Sequence, residues 1–382
     1  MGMFSVGRKS APIGLDIGTN LFRAAQLAPG SPKPHLVNYG SIKVPVGSVV
    51  EGEIVDVEAA GYALSQLWKT AGFTSKDVII GIASQRVVVR LVSMPFMDQT
   101  ELAGAIQFQA QDYIPIPVEE AIIDAQIVSE YLGENEEKMM EVLLVAAQRD
   151  MVNNTVSAVE QAGLKPQIID LSAFAIVRSL LADESFFLPE EGADGDAAVS
   201  AAALINISSG LTNIVVVEQG VPRFARVTPL AGNDLTQAIA DSLGLTFDEA
   251  EELKTKVGLP AIDGDPTPVP GDLPDNLKVH VEAAQSIMEN QIGHFIAEIR
   301  RSLDYYLTQA TQIRNITRLV ITGAGARLNN FGAYIERGLQ AKVEIGAPLR
   351  QVQPSPKIPA GLLANDELSL AVSLGLALRS FQ

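Results

Sequence analysis

The sequence contains one local pattern twice, and this repetition constrains the fold more than any other feature. An apolar strand, a short turn of small residues and a second apolar strand begin near residue 13, as IGLDIGTNLFRAAQL, and again near residue 203, as ALINISSGLTNIVVV. Helical patterns follow both copies. Because 382 residues suffice for two domains, the repetition predicts an α/β protein with two related lobes around a cleft.

The segments around the two copies predict a division of the chain into five parts. The first lobe comprises residues 1–92 and 166–203, and it is interrupted at 93–165 by a small insert with the order strand, helix, strand, strand, helix. Residues 204–360 form the second lobe, and a helix at 361–382 returns to the first lobe.

Composition argues against several classes of function. The chain carries 45 acidic and 28 basic residues, a formal net charge of −17, which argues against binding nucleic acid or an anionic bilayer through the general surface. It has no cysteine, so disulfides and cysteine-ligated metals are excluded. His35, His280 and His294 lie far apart in sequence, which argues against a histidine zinc site.

The hydropathy pattern predicts a cytoplasmic protein. No apolar run approaches the roughly 20 residues that span a bilayer, and the N-terminus lacks the apolar region of a signal peptide. We therefore expect no direct membrane insertion, and any localisation at a membrane would depend on a partner.

Three turns of small residues, each after an apolar strand, are candidates for a phosphate-binding site. Small residues let backbone N–H groups approach an anion closely, Ser and Thr add hydroxyl donors, and the third turn leads into a helix N-terminus. Asp16 can hold Mg²⁺ through water. Each turn alone is also an ordinary structural turn. The candidate residues are Asp16, Gly18, Thr19 and Asn20 in the first turn, Asn206, Ser208, Ser209, Gly210, Leu211 and Thr212 in the second, and Gly323, Ala324, Gly325 and Arg327 in the third.

In this order the motifs resemble those of the actin-like ATPase superfamily. DIGT resembles its first phosphate loop, NISSGLT its second phosphate loop and ITGAGARL its adenosine loop. DEAEELK resembles the Glu-x-x-Lys helix that the superfamily uses on the ribose and base, which implies this role for Glu251 and Lys254; an exposed helical ion pair is the alternative. The resemblance implies an actin-like fold, with ATP or ADP and Mg²⁺ as cofactors.

Longer stretches are similar to the PilM family, the actin-like component of type IV pilus assembly, whose near relative is the cell-division protein FtsA. They are QDYIPIPVEEAIIDAQIV in the insert, GNDLTQAIA with Gly232, AEELK and LAVSLGLALR. This resemblance implies an adaptor that is peripheral at the inner membrane through a partner. The insert would be subdomain IC, and a groove between it and subdomain IA would bind the N-terminal cytoplasmic tail of a PilN-like protein. Other pilus assembly components, including cytoplasmic ATPases, and a second copy of the chain are further implied partners.

Apolar residues in and beside the insert are candidates for that groove, because peptide capture by a groove or a strand edge is an ordinary mode of recognition. The candidates are Val88, Met94, Phe96, Ile106 and Ile114. The alternative is that they fill the core of the insert itself.

Two departures from the superfamily pattern predict ATP binding with slow or absent hydrolysis. Asn206 stands where many actin-like ATPases have Asp, and an amide brings no charge to a metal-bound water. The turn at IIDLSAFA lacks the Glu-Pro pair that often lies there, and Asp170 is the catalytic candidate nearby. Loss of one positioning group commonly lowers a rate by orders of magnitude.

Three other functions stay open on the sequence. A small-molecule kinase of the same fold would need a general base, for which Asp124 and Asp170 are candidates. An FtsA-like, membrane-associated filament protein would need an anchor, whereas Met3, Phe4 and Val6 form a short apolar face and the chain ends at LALRSFQ. The third is an adaptor that binds no nucleotide.

Overall fold

The computed structural model describes residues 11–133, 135–181, 201–262, 269–309 and 315–381. The first part of the chain contains, in order, β1 (Ile13–Ile17), β2 (Leu21–Ala28), β3 (His35–Lys43), β4 (Val49–Val50), β5 (Glu53–Ile54), α1 (Val57–Ala71), β6 (Asp77–Ile82), β7 (Val87–Pro95), α2 (Gln99–Gln109), β8 (Ala121–Leu132), β9 (Lys138–Gln148), α3 (Arg149–Gln161), β10 (Lys165–Leu171) and α4 (Ser172–Leu180). Met3, Phe4 and Val6, considered above as an anchor, lie outside the described residues.

The second part begins at residue 201 and completes both lobes. It contains β11 (Ala201–Ile207), β12 (Thr212–Glu218), β13 (Val221–Thr228), α5 (Gly232–Leu243), α6 (Phe247–Val257), α7 (Asp275–Lys278), α8 (Val281–Gln309), β14 (Ile316–Thr322), α9 (Phe331–Leu339), β15 (Val343–Ile345), β16 (Gln353–Pro354), α10 (Ala360–Asp366) and α11 (Ala371–Leu378).

The two main sheets have equivalent strand arrangements. The first lobe has the order β10-β6-β1-β2-β3-β16, and the second has β13-β12-β11-β14-β15. In each sheet the central strand, β1 or β11, pairs antiparallel with the strand that follows it and parallel with a later strand, β6 or β14. The prediction of two related α/β lobes is therefore confirmed.

The insert is built on a small sheet of its own. Strands β7, β9 and β8 form an antiparallel sheet in that order, and α2 packs against it through Leu102 and Ile106. Helix α2 begins at a capping box, in which the Asp98 side chain accepts from the Glu101 backbone N–H at 2.8 Å. The small sheet spans Val87–Gln148, so its first strand begins before residue 93.

Helix α3, which the sequence interpretation assigned to the insert, contributes to the core of the first lobe. Its residues Ala158 and Val159 are buried in one cluster with Leu64 and Leu67 of α1. The division into subdomains stays a prediction, but the sheet and this helix indicate an insert that ends near residue 148.

The C-terminal helix α11 lies inside the first lobe. Every residue of Ala371–Leu378 is buried, and a Cβ added to Gly375 would lie 1.8 Å from the Ala175 carbonyl oxygen of α4. The 22-residue segment Ala360–Phe381 is long and apolar enough to cross a membrane, and half of its most apolar window is buried within the protein. The expectation that no apolar run approaches this length is thus corrected. Within the segment, α11 belongs to the core of the first lobe, whereas most of α10 is exposed.

Candidate functional site

The three predicted turns meet at one cleft between the lobes. Turns at the carboxyl ends of β1, β11 and β14 line two adjoining cavities, of about 350 Å³ and about 30 Å³. Both cavities are lined by Asn20, Ser208 and Ser209, so the two form a continuous site. Because β11 and β14 are parallel neighbours, their carboxyl ends lie at the same edge of the sheet.

The turns approach one another through glycine. A Cβ added to Gly210 would lie 2.3 Å from the Thr19 hydroxyl oxygen, so the second turn contacts the first across the cleft. Gly323 has a φ of +89°, and a Cβ there would lie 2.3 Å from the Ile207 carbonyl oxygen. An added Cβ fits at neither position unless its neighbours shift, so both turns depend on glycine for this close approach.

The smaller cavity contains the polar groups suited to a divalent cation. It is lined by Asp16, Asn206 and Asn213. Burial raises the pKa of Asp16 from 3.8 to about 6, although the Arg23 guanidinium, 4.0 Å from its carboxylate, acts in the opposite direction. The Oδ1 atom of Asn213 is buried and has no hydrogen-bond partner among the described residues, so it is an acceptor that a metal-bound water can satisfy.

The oxygen atoms of these three side chains fit a Mg²⁺ ion whose remaining ligands are waters and phosphate oxygens. Over the described ranges, no three His, Cys, Asp or Glu side chains converge closely enough to hold a metal ion. Mg²⁺ is commonly held by one or two carboxylates together with waters and substrate phosphates. The set of one carboxylate and two amides in the smaller cavity agrees with that mode.

The larger cavity has a polar wall on α6. Lys254, 8% exposed, donates to the Gly232 carbonyl at 3.0 Å, to the Thr236 hydroxyl at 2.7 Å and to the Glu251 carboxylate at 2.7 Å. Glu251 also accepts from Thr236 at 2.5 Å. The Glu251–Lys254 pair therefore lies in the cavity wall, with Lys254 buried and the Glu251 side chain 42% exposed, and its role on the ribose and base stays a prediction.

The opposite wall of the larger cavity is apolar. Ile292 and Phe295 of α8 and Leu328 and Phe331 near α9 line it. Its volume lies within the usual range for small-molecule sites, about 300 to 1,000 Å³. An apolar wall facing hydrogen-bonding groups suits a flat ring that carries a polar substituent.

Two asparagines join the lobes at the point where the cavities meet. Asn20 donates to the Asn233 side-chain oxygen at 2.9 Å, and Asn233 donates back at 3.0 Å. We call these two residues the cleft amide pair. Asn233, Asn213 and Thr236 were not among the predicted residues, although Asn213 directly follows NISSGLT and the other two lie in GNDLT.

Most of the predicted cofactor residues line this cleft, and three do not. Gly210 and Gly323 act by allowing the close approach of the turns, and Thr212 is fully buried and donates to the Leu230 carbonyl at 2.8 Å. The predicted residues that line one or both cavities are Asp16, Gly18, Thr19, Asn20, Asn206, Ser208, Ser209, Leu211, Gly232, Glu251, Lys254, Ala324, Gly325 and Arg327.

Asp170 lies outside the cleft, which does not favour a catalytic role for it. Its side chain is 3% exposed, and the carboxylate is paired with Arg178 at 2.6 Å and with Arg379 at 2.7 Å. It lines a different cavity, so the structure separates this candidate from the phosphate turns.

That second site is a groove of about 1510 Å³, which we call the insert groove. One wall is the face of the small sheet that carries Val128 and Leu143, and the other is formed by Phe174 of α4 and by Leu378 and Phe381 at the C-terminus. The turn between β12 and β13, residues 219–222, completes it. The groove thus lies between the insert and the first lobe, where the resemblance implied a partner site.

The residues that were predicted to line this groove lie elsewhere, and that prediction is corrected. Met94, Ile106 and Ile114 are 2 to 4% exposed in the core between the small sheet and α2, with Val88 packed against it. Phe96 is 40% exposed and lies beneath the Lys138 ammonium group. The alternative was right for the four that pack in this core, because α2, which carries Ile106, covers the face of the sheet on which Val88 and Met94 lie.

Comparisons with known proteins identify the family. A family model described as the type IV pilus assembly protein PilM matches residues 14–263. The chain belongs to the PilM family. It is therefore a type IV pilus assembly protein of actin-like fold, as the sequence motifs predicted.

Solved structures agree with this fold. The structure of a PilM–PilN type IV pilus biogenesis complex superposes with a TM-score of 0.80 at 24% identity, covering 98% of this chain and all of that one. MreB5 of Spiroplasma citri bound to AMPPNP superposes with a TM-score of 0.51 at 14% identity, over 96% of this chain and 95% of that one.

Cell division proteins are also similar to part of the chain. An FtsA model matches residues 203–373. FtsA of Escherichia coli (strain K12) is 26% identical over 250 residues, which are 61% of this chain and 55% of that protein. The chain thus spans about half the length of the curated relatives that it matches.

Proposed function

We propose that this PilM-family protein binds ATP or ADP with Mg²⁺ in the interlobe cleft and the N-terminal tail of a PilN-like protein in the insert groove. The observation that carries the nucleotide proposal is the convergence of three glycine- or serine-containing turns from both lobes on one continuous pair of cavities. The related fold of MreB5 of Spiroplasma citri, solved with AMPPNP, supports it.

Each part of the cleft has a distinct role in this proposal. Backbone and hydroxyl donors of the turns, including Thr19 and Ser209, would hold the phosphates. Asp16, with Asn206 and Asn213, would hold waters around the metal ion, which supplies charge neutralisation to the phosphates. Lys254 and its partner Glu251 would contact the ribose, with the base against the apolar wall.

The groove proposal is carried by the position and chemistry of the cavity. Its walls are largely apolar, and Asp124 at one side and Arg379 at another can orient polar groups of an extended segment. The solved relative in complex with PilN supports a partner of this kind. Through it the protein would lie peripherally at the inner membrane, and pilus assembly ATPases and a second copy of the chain are further proposed partners.

We further propose slow or absent ATP hydrolysis. Asn206 contributes no charge to the cleft, and the carboxylate of Asp170 is occupied by two arginines away from it. Among the described residues that line the two cavities, Asp16 and Glu251 carry the carboxylates, and Glu251 is paired with Lys254. Asp16 is therefore the remaining candidate there for positioning an attacking water.

The test is to purify the protein, release its bound small molecules and identify them, and then to titrate the stripped protein with ATP·Mg²⁺. We expect an adenine nucleotide, a higher melting temperature with ATP, and little phosphate release. The variant Thr19→Val removes a hydroxyl from the first turn, and we expect it to weaken ATP binding. A stripped protein with no ATP-dependent shift would contradict the nucleotide proposal, and rapid turnover would contradict the proposal of slow hydrolysis.

A second candidate function, an FtsA-like filament protein, is favoured by the match of the FtsA model to the second lobe. Sedimentation of the purified chain with ATP and liposomes distinguishes the two. Pelleting without any pilus partner would favour the FtsA-like function.

A further inference from the structure

One hairpin of the second lobe reaches both proposed sites. At the base of the β12–β13 hairpin, Leu211 and Asn213 line the smaller cavity of the cleft. At its tip, Gln219 to Pro222 line the insert groove. At about 3.4 Å per residue, the six steps from Asn213 to Gln219 separate the two ends by about 20 Å.

The hairpin is joined to the insert by a partly buried ion pair. Arg223 of β13 lies 2.7 Å from the Glu141 carboxylate of β9, and Ser129 of β8 donates to the same carboxylate at 2.6 Å. On its other side Arg223 lies 3.4 Å from Glu218, which accepts a hydrogen bond from Tyr306 of α8. Polar contacts therefore run from the sheet of the insert to the long helix of the second lobe.

Apolar packing follows the same path. Val215 and Val217 of β12 are fully buried in a cluster that also contains Leu143 of the insert and Ile176 of α4. Leu143 itself lines the insert groove. Since a close-packed core transmits displacement, movement of the hairpin with the second lobe must move one wall of the groove.

We propose that the β12–β13 hairpin couples the cleft to the insert groove, with the Arg223–Glu141 ion pair as the contact that transmits the coupling. This inference rests on the proposed function and states how its two sites regulate each other. A nucleotide that contacts both lobes favours the closed arrangement by its differential affinity for that state. The hairpin then sets the width of the groove, and the partner tail affects nucleotide affinity by the same factor.

The experiment uses a synthetic peptide with the sequence of the cytoplasmic N-terminal tail of the PilN-like protein from the same genome. The affinity of the full chain for this peptide is measured with and without saturating ATP·Mg²⁺. We expect the two affinities of the full chain to differ by about fivefold or more, the usual lower bound of allosteric coupling. Arg223→Ala and the conservative Glu141→Gln should still bind both ligands, with the ratio of affinities reduced towards one.

The matched control is Arg226→Ala. Arg226 lies on the same strand, but its ion pair with Glu298 at 2.8 Å is internal to the second lobe, so the ratio should persist. An unchanged ratio in both Arg223→Ala and Glu141→Gln would overturn the role of the hairpin. Binding of both ligands to the wild type without mutual effect would overturn the coupling and leave the proposed function intact. Failure of the wild type to bind either ligand would overturn both.

Discussion

At the scale of single residues, Asp16 combines a cost to stability with a role in the site. Its carboxylate, at the end of β1, is largely withdrawn from solvent at 15% exposure, with a weak partner in Arg23, 4.0 Å away. Burial favours the protonated form, which is why the pKa of Asp16 rises to about 6. A carboxylate held in such a place without a strong partner is more typical of a functional group than of a structural one.

We predict that Asp16→Asn stabilises the nucleotide-free protein at pH 7. Because the folded-state pKa is raised from 3.8 to about 6, the stability that protonated Asp16 contributes is present below pH 4 and is lost as the pH rises through about 6. Removing the charge should raise the free energy of unfolding at pH 7 by about 1–3 kcal/mol. Urea unfolding of both proteins at pH 4 and pH 7 measures this.

The same substitution should weaken ATP binding that depends on Mg²⁺, since an amide brings no charge to the metal ion. ATP binding without Mg²⁺ serves as the control. Equal stability of the two proteins at pH 7 would show that the Asp16 carboxylate is not destabilised by burial.

At the scale of elements, the turns after β1, β11 and β14 depend on close backbone contact. Gly323 is restricted twice, by its φ of +89° and by the Ile207 carbonyl oxygen, 2.3 Å from where a Cβ would lie. Gly163 is a matched control, because it also has a positive φ, +75°, but no atom of the described residues lies within 4 Å of its added Cβ.

We predict that Gly323→Ala is more destabilising than Gly163→Ala. Both substitutions place a side chain at a positive φ, which costs about 1–3 kcal/mol. The Gly323 variant does so at φ +89° and ψ 170°, a conformation essentially restricted to glycine, and adds the clash with Ile207. It should also displace the third turn and weaken ATP binding, whereas Gly163→Ala should leave ATP affinity unchanged. Melting temperatures and ATP titrations of the two variants test this, and equal melting temperatures would mean that the turns are not tightly packed.

At the scale of the whole molecule, the lobes meet through polar contacts at the cleft and through the hairpin at the insert. The cleft amide pair, Asn20 and Asn233, makes two hydrogen bonds between residues that lie in different lobes. It lies where both cavities meet, so its strength affects how readily the lobes separate.

We predict that Asn20→Ala and Asn233→Ala are non-additive. Each removes both hydrogen bonds of the pair, worth about 0.5–1.5 kcal/mol each in net terms, so the double variant should be little less stable than either single one. The measurement is the free energy of unfolding of the four proteins without nucleotide. Additive losses would contradict direct pairing of the two side chains in solution.

Much of the cleft could be predicted from local sequence, and little of the groove could. DIGT and NISSGLT identify their own turns, since a short strand followed by Gly, Ser or Thr determines its backbone locally. Met94 and Ile106 were instead assigned to a partner surface, although Met94 of the small sheet and Ile106 of α2 are buried in one core. The sequence pattern around an apolar residue is the same whether the side chain packs within its own domain or against another protein. Here the packing of α2 against the small sheet decides that these side chains belong to the core of the insert.

The amino-acid sequence by itself determined the two α/β lobes, the order of the motifs and most residues of the cleft, because strand periodicity and turn chemistry act over a few neighbouring residues. The tertiary structure alone decided that Arg379 pairs with Asp170, that Asn20 pairs with Asn233 and that a hairpin of the second lobe completes the insert groove. These contacts join segments far apart in the chain, and packing of the whole core brings them together.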